Sequence, residues 1–253
     1  MSDLFRLDGQ GAVITGGGRG LGRAMAQALA AAGAGCVLVA RREDDLAESV
    51  KLIESAGGKA VAVVGDVLDP EVAPRAVAAC LEHFGSVNIL VNNAGQLSIA
   101  PIEDTPDEDW QRVIDVNLMG PFRFCKAVAP HFKAQKSGKV VNIASVLGTF
   151  GVGESSAYCA AKAGIMGFTR SLAVEWGPHG VNVNALAPGL FNTDMSAGVF
   201  QTQPIYDAIV AGIPRGTHGE PEDLAGTILY LCSKASAHVT GQVIHVDGGA
   251  TIA

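Results

Sequence analysis

Thr15-Gly16-Gly17-Gly18-Arg19-Gly20-Leu21-Gly22 is the most informative segment of this 253-residue chain. It holds five glycines in eight residues and joins a short apolar run, residues 12–15, to a helical pattern over residues 20–32. A glycine-rich turn between a strand and a helix lets the backbone approach a pyrophosphate, which then lies against the free N–H groups and the positive end of the helix. A merely flexible turn is the alternative, but it would carry the entropic cost of five glycines without a ligand. The segment therefore predicts a dinucleotide-binding turn.

The rest of the chain alternates short apolar runs with longer helical patterns. Each run is nearly continuous in Val, Ile, Ala and Leu, which is typical of parallel strands covered on both faces. No linker or internal repeat divides the pattern, so residues 1–253 are predicted to form a single α/β domain, a doubly wound Rossmann fold with helices on both faces of a seven-stranded parallel sheet. The predicted strands are residues 12–15, 36–40, 60–65, 87–91, 139–143, 181–186 and 243–246, and the predicted helices are residues 20–32, 43–56, 70–84, 106–135, 155–176 and 221–233.

Composition and charge exclude several classes of partner. Glycine accounts for 32 of the 253 residues, nearly twice its usual share of ~7%. The glycines follow no G-x-y period, so the chain is not collagen-like. Its hydrophobic fraction of 48% is ordinary for a packed domain, which argues against a disordered linker. The net charge of −7 argues against a nucleic-acid or anionic-membrane surface, since both need a concentrated basic face.

The cysteines, histidines and apolar runs bear on location and metal binding. The five cysteines include no C-x-x-C pair and the six histidines no H-x-x-x-H, so we expect neither a disulfide scaffold nor a metal site. The N-terminus lacks the pattern of a secretory signal, and the apolar charge-free run between Arg23 and Arg41 has 17 residues, short of the ~20 that a membrane helix needs. We therefore expect a cytoplasmic protein.

Eight motifs, in order along nearly the whole chain, resemble those of the short-chain dehydrogenase/reductase family. The glycine motif of that family, T-G-x-x-x-G-x-G, is matched by Thr15, Gly16, Gly20 and Gly22. The resemblance implies an NAD(P)-dependent oxidoreductase that acts on a small carbonyl or alcohol substrate and assembles as a homotetramer. The other matches are Asp66-Val67, Asn92-Asn93-Ala94-Gly95, Asn117, Ser145, Tyr158-Cys-Ala-Ala-Lys162, Pro188-Gly189 with Thr193, and Asp247-Gly248-Gly249.

Tyr158 and Lys162 form a candidate acid–base pair on their spacing alone. They stand at i and i+4 of the predicted helix over residues 155–176, so they share one face. Poising a phenol of pKa ~10 near neutrality requires a shift of about 3 units, roughly 4 kcal/mol. An ammonium about 4 Å away at an effective dielectric of about 20 supplies roughly that much. We therefore expect Lys162 to lower the pKa of Tyr158; the alternative is a helix-surface pair.

The resemblance implies a role for each candidate residue. Tyr158 would exchange a proton with the substrate oxygen, Ser145 would orient that oxygen, Lys162 would bind the nicotinamide ribose, and Asn117 would anchor a water that connects the lysine to solvent. The structural alternatives are a strand-end turn for Ser145 and a buried helix amide for Asn117. The implied cofactor contacts, besides Tyr158 and Lys162, are Thr15, Gly16, Gly18, Arg19, Gly20 and Leu21 in the glycine turn, Asp66 and Val67 at the adenine, Asn93, Ala94 and Gly95 at the ribose, and Pro188, Gly189, Leu190 and Thr193 at the carboxamide.

Arg41 and Arg42 follow the second predicted strand and bear on the type of cofactor. An acidic residue there would bind the adenosine 2′-hydroxyl of NAD and repel a 2′-phosphate. A guanidinium instead pairs with phosphate, so Arg41 or Arg42, helped by Arg19, favours NADP(H), with NAD(H) possible. The alternative is that these arginines pair with Glu43 or Asp44 at a surface turn.

The substrate is least determined by the sequence. Within the family, the chain most resembles gluconate 5-dehydrogenases and 3-oxoacyl-carrier-protein reductases, and a substrate loop is expected at about residues 190–219. We expect a sugar acid, polyol or small hydroxy ketone. The alternative, a 3-oxoacyl thioester on an acidic carrier protein, would need a basic patch. Such a patch would come from Lys126, Lys133, Lys136 and Lys139, which are otherwise a solvated helix face.

A function of another class is a catalytically silent cofactor-binding sensor or scaffold on the same fold. Such a protein would have no need for Tyr158, Lys162 and Ser145 together. Their joint presence favours an enzyme.

Overall fold

A computed structural model describes residues 3–253. The sheet is seven-stranded and wholly parallel, in the order β3-β2-β1-β4-β5-β6-β7, so its direction of winding reverses between β1 and β4. Ligands bind at such a switch point in doubly wound sheets, outside the carboxyl ends of the strands. The predicted fold class is confirmed. The strands are β1 (Gly11–Thr15), β2 (Gly35–Ala40), β3 (Lys59–Val64), β4 (Ile89–Asn92), β5 (Gly138–Ile143), β6 (Val181–Pro188) and β7 (Val243–Val246).

Helices cover both faces of the sheet. Val13 and Ile14 are adjacent in β1 and both are fully buried, but they belong to different apolar clusters because successive strand residues point to opposite faces. The Ile14 side packs against α1, α2 and α9, and the Val13 side against α3, α5 and α6. The α-helices are α1 (Gly20–Ala31), α2 (Glu43–Ser55), α3 (Val72–Phe84), α4 (Asp107–Ile114), α5 (Gly120–Gln135), α6 (Ser156–Trp176), α7 (Ala197–Phe200), α8 (Gln203–Ala211) and α9 (Ala225–Cys232).

The two edge strands are less covered than the sequence pattern predicts. Along β3, Ala60 is buried while Val64 is exposed, and every residue of β7 is only half-buried. The prediction that each strand is covered on both faces is wrong for these two. A nearly continuous apolar run does not distinguish an edge strand from a central one, because the difference lies in neighbours that are distant in sequence.

Two predicted segments have more structure than their patterns indicate. The single helix predicted over residues 106–135 is divided into α4, a π-helical turn at Asp115–Met119, and α5. The segment predicted as a substrate loop, residues 190–219, contains a short 3-10 turn at Asp194–Ser196 and the helices α7 and α8. We keep the name substrate loop for residues 190–219.

Candidate active site

The carboxyl ends of five parallel strands bring most of the predicted site residues to one edge of the sheet. Thr15 ends β1, Asn92 ends β4 and Pro188 ends β6, while Arg41 follows β2 directly and Ser145 lies two residues beyond β5. The glycine turn, the Asn93–Gly95 segment and the start of the substrate loop therefore meet above the switch point.

The glycine turn has a backbone that only glycine accommodates. Gly16 and Gly20 have φ of +67° and +51°, in the left-handed region. A Cβ on Gly22 would lie 2.1 Å from the Gly16 carbonyl oxygen, so α1 starts in direct contact with the turn. Leu21 lies in the first turn of α1, whose N–H groups have no intrahelical partners. This arrangement fits a pyrophosphate on the helix N-terminus.

Thr15 and Asn93 hold the glycine turn against the end of β4. The Thr15 hydroxyl accepts hydrogen bonds from the N–H groups of Asn93 and Ala94, at 2.9 and 3.0 Å. The Asn93 amide nitrogen donates to the carbonyl oxygens of Thr15 and Gly16, at 2.9 and 3.2 Å. These hydrogen bonds make Thr15 and Asn93 braces of the cofactor site.

Tyr158 and Lys162 lie on one face of α6 at the end of β5, and both are buried. Lys162 Nζ donates to the Ile143 carbonyl oxygen at 2.7 Å and lies 5.4 Å from the centroid of the Tyr158 ring. Ser145 lies near enough to Tyr158 to lower the pKa of the phenol, and its Oγ accepts from the Leu147 N–H at 3.1 Å. The predicted trio is therefore assembled, and Ser145 is also the strand-end turn residue that the alternative interpretation described.

Burial dominates the ionisation of both residues. It raises the pKa of Tyr158 to about 12, although the nearby Ser145 side chain opposes the shift. It lowers the pKa of Lys162 to about 7. The expectation that Lys162 lowers the pKa of Tyr158 differs from this result, because the lysine is itself desolvated and only partly charged near neutral pH.

Asn117 lies in the π-helical turn at Asp115–Met119 and faces the same site. Its Nδ2 donates to the carbonyl oxygens of Gln96 and Val113, at 2.7 and 2.8 Å. Its Oδ1 is buried and has no hydrogen-bond partner among residues 3–253. A buried acceptor of this kind is normally satisfied by a water or a ligand.

Three carboxylates pair with the arginines that are predicted to select the cofactor. Arg42 pairs with Asp45 at 2.5 Å, and Arg41, whose side chain is 66% exposed, lies 4.0 Å from Asp66. Arg19 pairs with Asp194 in the substrate loop at 2.5 Å. The acidic partners of Arg41 and Arg42 are therefore not Glu43 and Asp44, the two residues suggested from the sequence.

The remaining cofactor candidates follow β3 and β6. After β3, Val67 is buried, while Asp66 Oδ1 accepts from the Leu68 N–H at 3.0 Å. After β6, Gly189 N–H donates to the Val246 carbonyl at 3.0 Å, and the Leu190 carbonyl accepts from the Gly219 N–H at 2.9 Å.

Thr193 connects the substrate loop to the glycine turn. Its methyl carbon lies 3.6 Å from where a Cβ of Gly20 would lie. Its hydroxyl is 3.1 Å from the Ser196 hydroxyl. These two segments are far apart in sequence, so their contact could not be predicted from the sequence alone.

The four lysines considered as a carrier-protein patch do not share one role. Lys133 pairs with Glu175 at 3.5 Å and lies over the Trp176 ring, 5.9 Å from its centroid. Lys139 is half-buried, bonds Asn182 at 2.8 Å, and has its pKa lowered by burial. At least half of the supposed patch is engaged within the protein.

A hydrogen-bonded triad of Tyr206, His218 and Glu220, at the end of the substrate loop, was not predicted from the sequence. Tyr206 Oη lies 2.9 Å from His218 Nδ1, and His218 Nε2 lies 3.1 Å from Glu220 Oε1. The Phe200 ring packs edge-on against His218 at 4.9 Å. No spacing motif signals this triad, because Tyr206 is twelve residues from His218.

Other structural features bear on metal and membrane chemistry. Within residues 3–253, no group of three or more His, Cys, Asp or Glu residues is arranged to hold a metal ion. Nor does any helix in that range have the length and apolar character needed to span a membrane. All five cysteines are free thiols, and four of them are buried.

Comparison with known proteins gives a consistent set of relatives. The family described as "Enoyl-(Acyl carrier protein) reductase" matches residues 16–251. Gluconate 5-dehydrogenase of Gluconobacter oxydans is 37% identical over 99% of this chain and 98% of that protein, and the 3-oxoacyl-[acyl-carrier-protein] reductase of Synechocystis is 41% identical over 97% and 98%. The structure of a gluconate 5-dehydrogenase from Burkholderia cenocepacia in complex with NADP and tartrate is similar at a TM-score of 0.94, with 36% identity over 99% of this chain and 98% of the other.

Proposed function

Because this chain belongs to the short-chain dehydrogenase/reductase family, we propose that it is an NADP(H)-dependent oxidoreductase that interconverts a ketone and a secondary alcohol through Tyr158. The observation that carries this proposal is the buried group of Ser145, Tyr158, Lys162 and Asn117 at the carboxyl end of β5. A silent sensor or scaffold would not require four buried polar side chains at one place, since burying each is costly unless it is partnered.

The residues that would hold the cofactor run across the switch point. The glycine turn and the N-terminus of α1 would bind the pyrophosphate, and Lys162 the nicotinamide ribose. Arg41 and Arg42 would face a 2′-phosphate. When bound, the nicotinamide supplies the hydride in reduction and accepts it in oxidation.

Tyr158 and its neighbours would handle the proton. A phenol with a raised pKa is fully protonated at neutral pH, so in reduction it donates to the substrate oxygen as negative charge develops there. Ser145, next to the same phenol, would hold that oxygen in place. In oxidation Tyr158 must lose its proton first, and Lys162, whose pKa is about 7, would stabilise the phenolate to the extent that it is charged.

A small polyhydroxy acid is the substrate class that we propose. A cavity of about 420 Å³ between the substrate loop and the end of β7 is lined by Arg215, Thr217, His218 and His245, and also by the carboxylates of Asp223 and Asp247. Arg215 forms no ion pair with the described residues, so it is free to bind a carboxylate. Thr149, four residues after Ser145, bonds His245 at 2.9 Å and thereby joins this cavity to the catalytic segment.

A 3-oxoacyl thioester is the second candidate, and it is favoured by a different observation. The 3-oxoacyl-[acyl-carrier-protein] reductase of Synechocystis is 41% identical to this chain. The engagement of Lys133 and Lys139 within the protein weakens the case for an acidic carrier. We keep this substrate as the alternative.

The assembly and the location are further proposals. The half-buried edge strand β7 supports a homotetramer, because a second copy would cover it. Free thiols at all five cysteines support a reducing, cytoplasmic compartment.

The proposal is tested by assaying sugar acids, polyols, hydroxy ketones and 3-oxoacyl thioesters with NADPH or NADP, followed at 340 nm. Tyr158→Phe should abolish most of the turnover, by at least about a hundredfold, while NADPH binding measured by fluorescence is retained. Unchanged turnover in that variant would overturn the assignment of Tyr158. A preference for acyl thioesters over sugar acids would favour the second candidate.

A further inference from the structure

The Gly18 carbonyl oxygen, in the middle of the glycine turn, accepts three hydrogen bonds from side chains. Arg23 donates from Nη2 at 2.6 Å and from Nε at 3.1 Å, and Ser49 Oγ donates at 2.9 Å. Gly18 is buried, and Ser49 is completely inaccessible to solvent. The glycine turn would be flexible because of its five glycines, but these hydrogen bonds hold it at the Gly18 carbonyl oxygen.

Helix α2 holds this arrangement in place from the other side. Glu48 Oε2 accepts from Arg23 Nη2 at 2.8 Å, and Ser49 Oγ lies 2.9 Å from Arg23 Nε. A Cβ on Gly18 would lie 2.9 Å from Asp45 Cβ, so α2 packs directly against the turn. Gly18, Ser49 and Glu48 thus take the Nε and Nη2 donors of Arg23.

The orientation of one peptide group follows from these contacts. The chain has no cis peptide bonds among residues 3–253, and in a planar trans peptide the carbonyl and the following N–H point in opposite directions. Because the Gly18 carbonyl points between α1 and α2, the Arg19 N–H points to the other side of the turn. Neither Gly18 N–H nor Arg19 N–H donates to an acceptor in the described part of the chain.

We propose that Arg23 and Ser49 are positioning residues that fix the Gly18–Arg19 peptide with its N–H toward the pyrophosphate. Gly18 lacks a Cβ, so without these hydrogen bonds the peptide is free to rotate and present its carbonyl oxygen to a phosphate. An oxygen there would repel the anion that the N–H attracts. The inference rests on the proposed function, since it concerns the site of the dinucleotide.

The role predicts equal weakening of both cofactors. The pyrophosphate is common to NADPH and NADH, whereas the 2′-phosphate belongs to NADPH alone. Loss of the Ser49 hydroxyl should therefore raise both dissociation constants by the same factor. Loss of Arg41 or Arg42, in contrast, should change their ratio.

The test compares Ser49→Ala and Arg23→Gln with Ser55→Ala, a matched control in which the lost hydroxyl bonds only Leu52 near the end of α2. Dissociation constants for NADPH and NADH are measured by fluorescence, and melting temperatures without cofactor. We expect Ser49→Ala to raise both constants about fivefold and Arg23→Gln more, with the ratio unchanged and the control equal to wild type. The KM for cofactor should rise, while kcat at saturating cofactor stays within about twofold of wild type.

Hydrogen exchange of the cofactor-free protein gives a second readout. The Gly17 amide, which donates to the Val39 carbonyl oxygen at 3.3 Å, should exchange faster in Ser49→Ala than in wild type, while amides in β1 and β2 keep their wild-type rates. Wild-type affinity for both cofactors in Ser49→Ala would overturn the inference, and so would a loss confined to NADPH. Failure of the wild-type protein to bind either cofactor would overturn the proposed function, and this inference with it.

Discussion

Gly95 leaves open a space beside Asn117 Oδ1, the buried oxygen that has no hydrogen-bond partner in the described part of the chain. A Cβ on Gly95 would lie 3.0 Å from that oxygen and 3.8 Å from Lys162 Nζ. The space is therefore bordered by one acceptor and one donor, as a bridging water requires. It lies where a proton leaving Tyr158 through Lys162 would have to pass.

We expect Gly95→Ala to slow the reaction by filling this space. A methyl group there would displace a bridging water, so kcat at saturating NADPH should fall about tenfold; the dissociation constant of NADPH is measured separately, because Gly95 is itself a candidate contact of the ribose. Stopped-flow and fluorescence titration measure the two effects. Gly226→Ala is the matched control, because a Cβ at that exposed position of α9 meets nothing within 4 Å. Equal kcat in Gly95→Ala and the control would exclude a water relay here.

Lys162 should make the stability of the protein depend on pH. Its pKa is about 7 in the folded chain, below the ordinary 10.5, so between these values the unfolded chain binds more protons and the free energy of unfolding rises with pH. Lys162→Met lacks this contribution. From pH 7 to pH 9 the difference between wild type and variant should change by about 2 kcal/mol in favour of wild type.

Urea unfolding at several pH values measures this difference. The difference is the right quantity because buried thiols, whose pKa values burial raises, destabilise both proteins alike as the pH rises toward 9 and beyond. Parallel stability curves for the two proteins would contradict the buried, weakly basic lysine. The thiols concerned are Cys36, Cys80, Cys125 and Cys232.

The hydrogen bond between Tyr206 and His218 should determine how firmly α8 is held within the substrate loop. Tyr206→Phe removes this bond at little change of shape, so we expect a KM for the carbonyl substrate about three- to tenfold higher, with NADPH affinity unchanged. Amides of α8 should exchange faster with solvent. Tyr230→Phe, in α9, is the matched control. An unchanged KM together with unchanged exchange would mean that the triad does not order the loop.

The sequence predicted the sheet and the position of the site with small errors. Each predicted strand overlaps an observed one, and the largest displacement at either end is two residues, as at β4 and β6. Continuous apolar runs and glycine turns are local signals, so they can be recognised in the sequence without knowledge of the fold. The π-helical turn was not predicted, because it adds a residue to a turn without interrupting the apolar pattern of residues 106–135.

The electrostatics of the site depend on contacts that no local pattern encodes. Spacing places Tyr158 beside Lys162, but the sign of their pKa shifts follows from burial by α4, α6 and the strand ends. The hydrogen bonds to the Gly18 carbonyl oxygen include one from Ser49, which is thirty-one residues away along the chain. Such pairs are visible only once the helices are packed.

Arg41 should contribute more to NADP selectivity than Arg42, because the two arginines are held differently. Arg42 is 2.5 Å from Asp45, whereas Arg41 is more exposed and lies 4.0 Å from Asp66. A guanidinium that must leave a carboxylate contributes less net affinity to a phosphate than one that is nearly free. Arg41→Ala should therefore weaken NADPH at least about tenfold and Arg42→Ala by less, with NADH binding unchanged in both. Arg6→Ala, which removes an exposed pair with Asp8 near the N-terminus, is the control. Fluorescence titration of all four proteins decides the order, and tighter binding of NADH than of NADPH by the wild type would refute the role of both arginines.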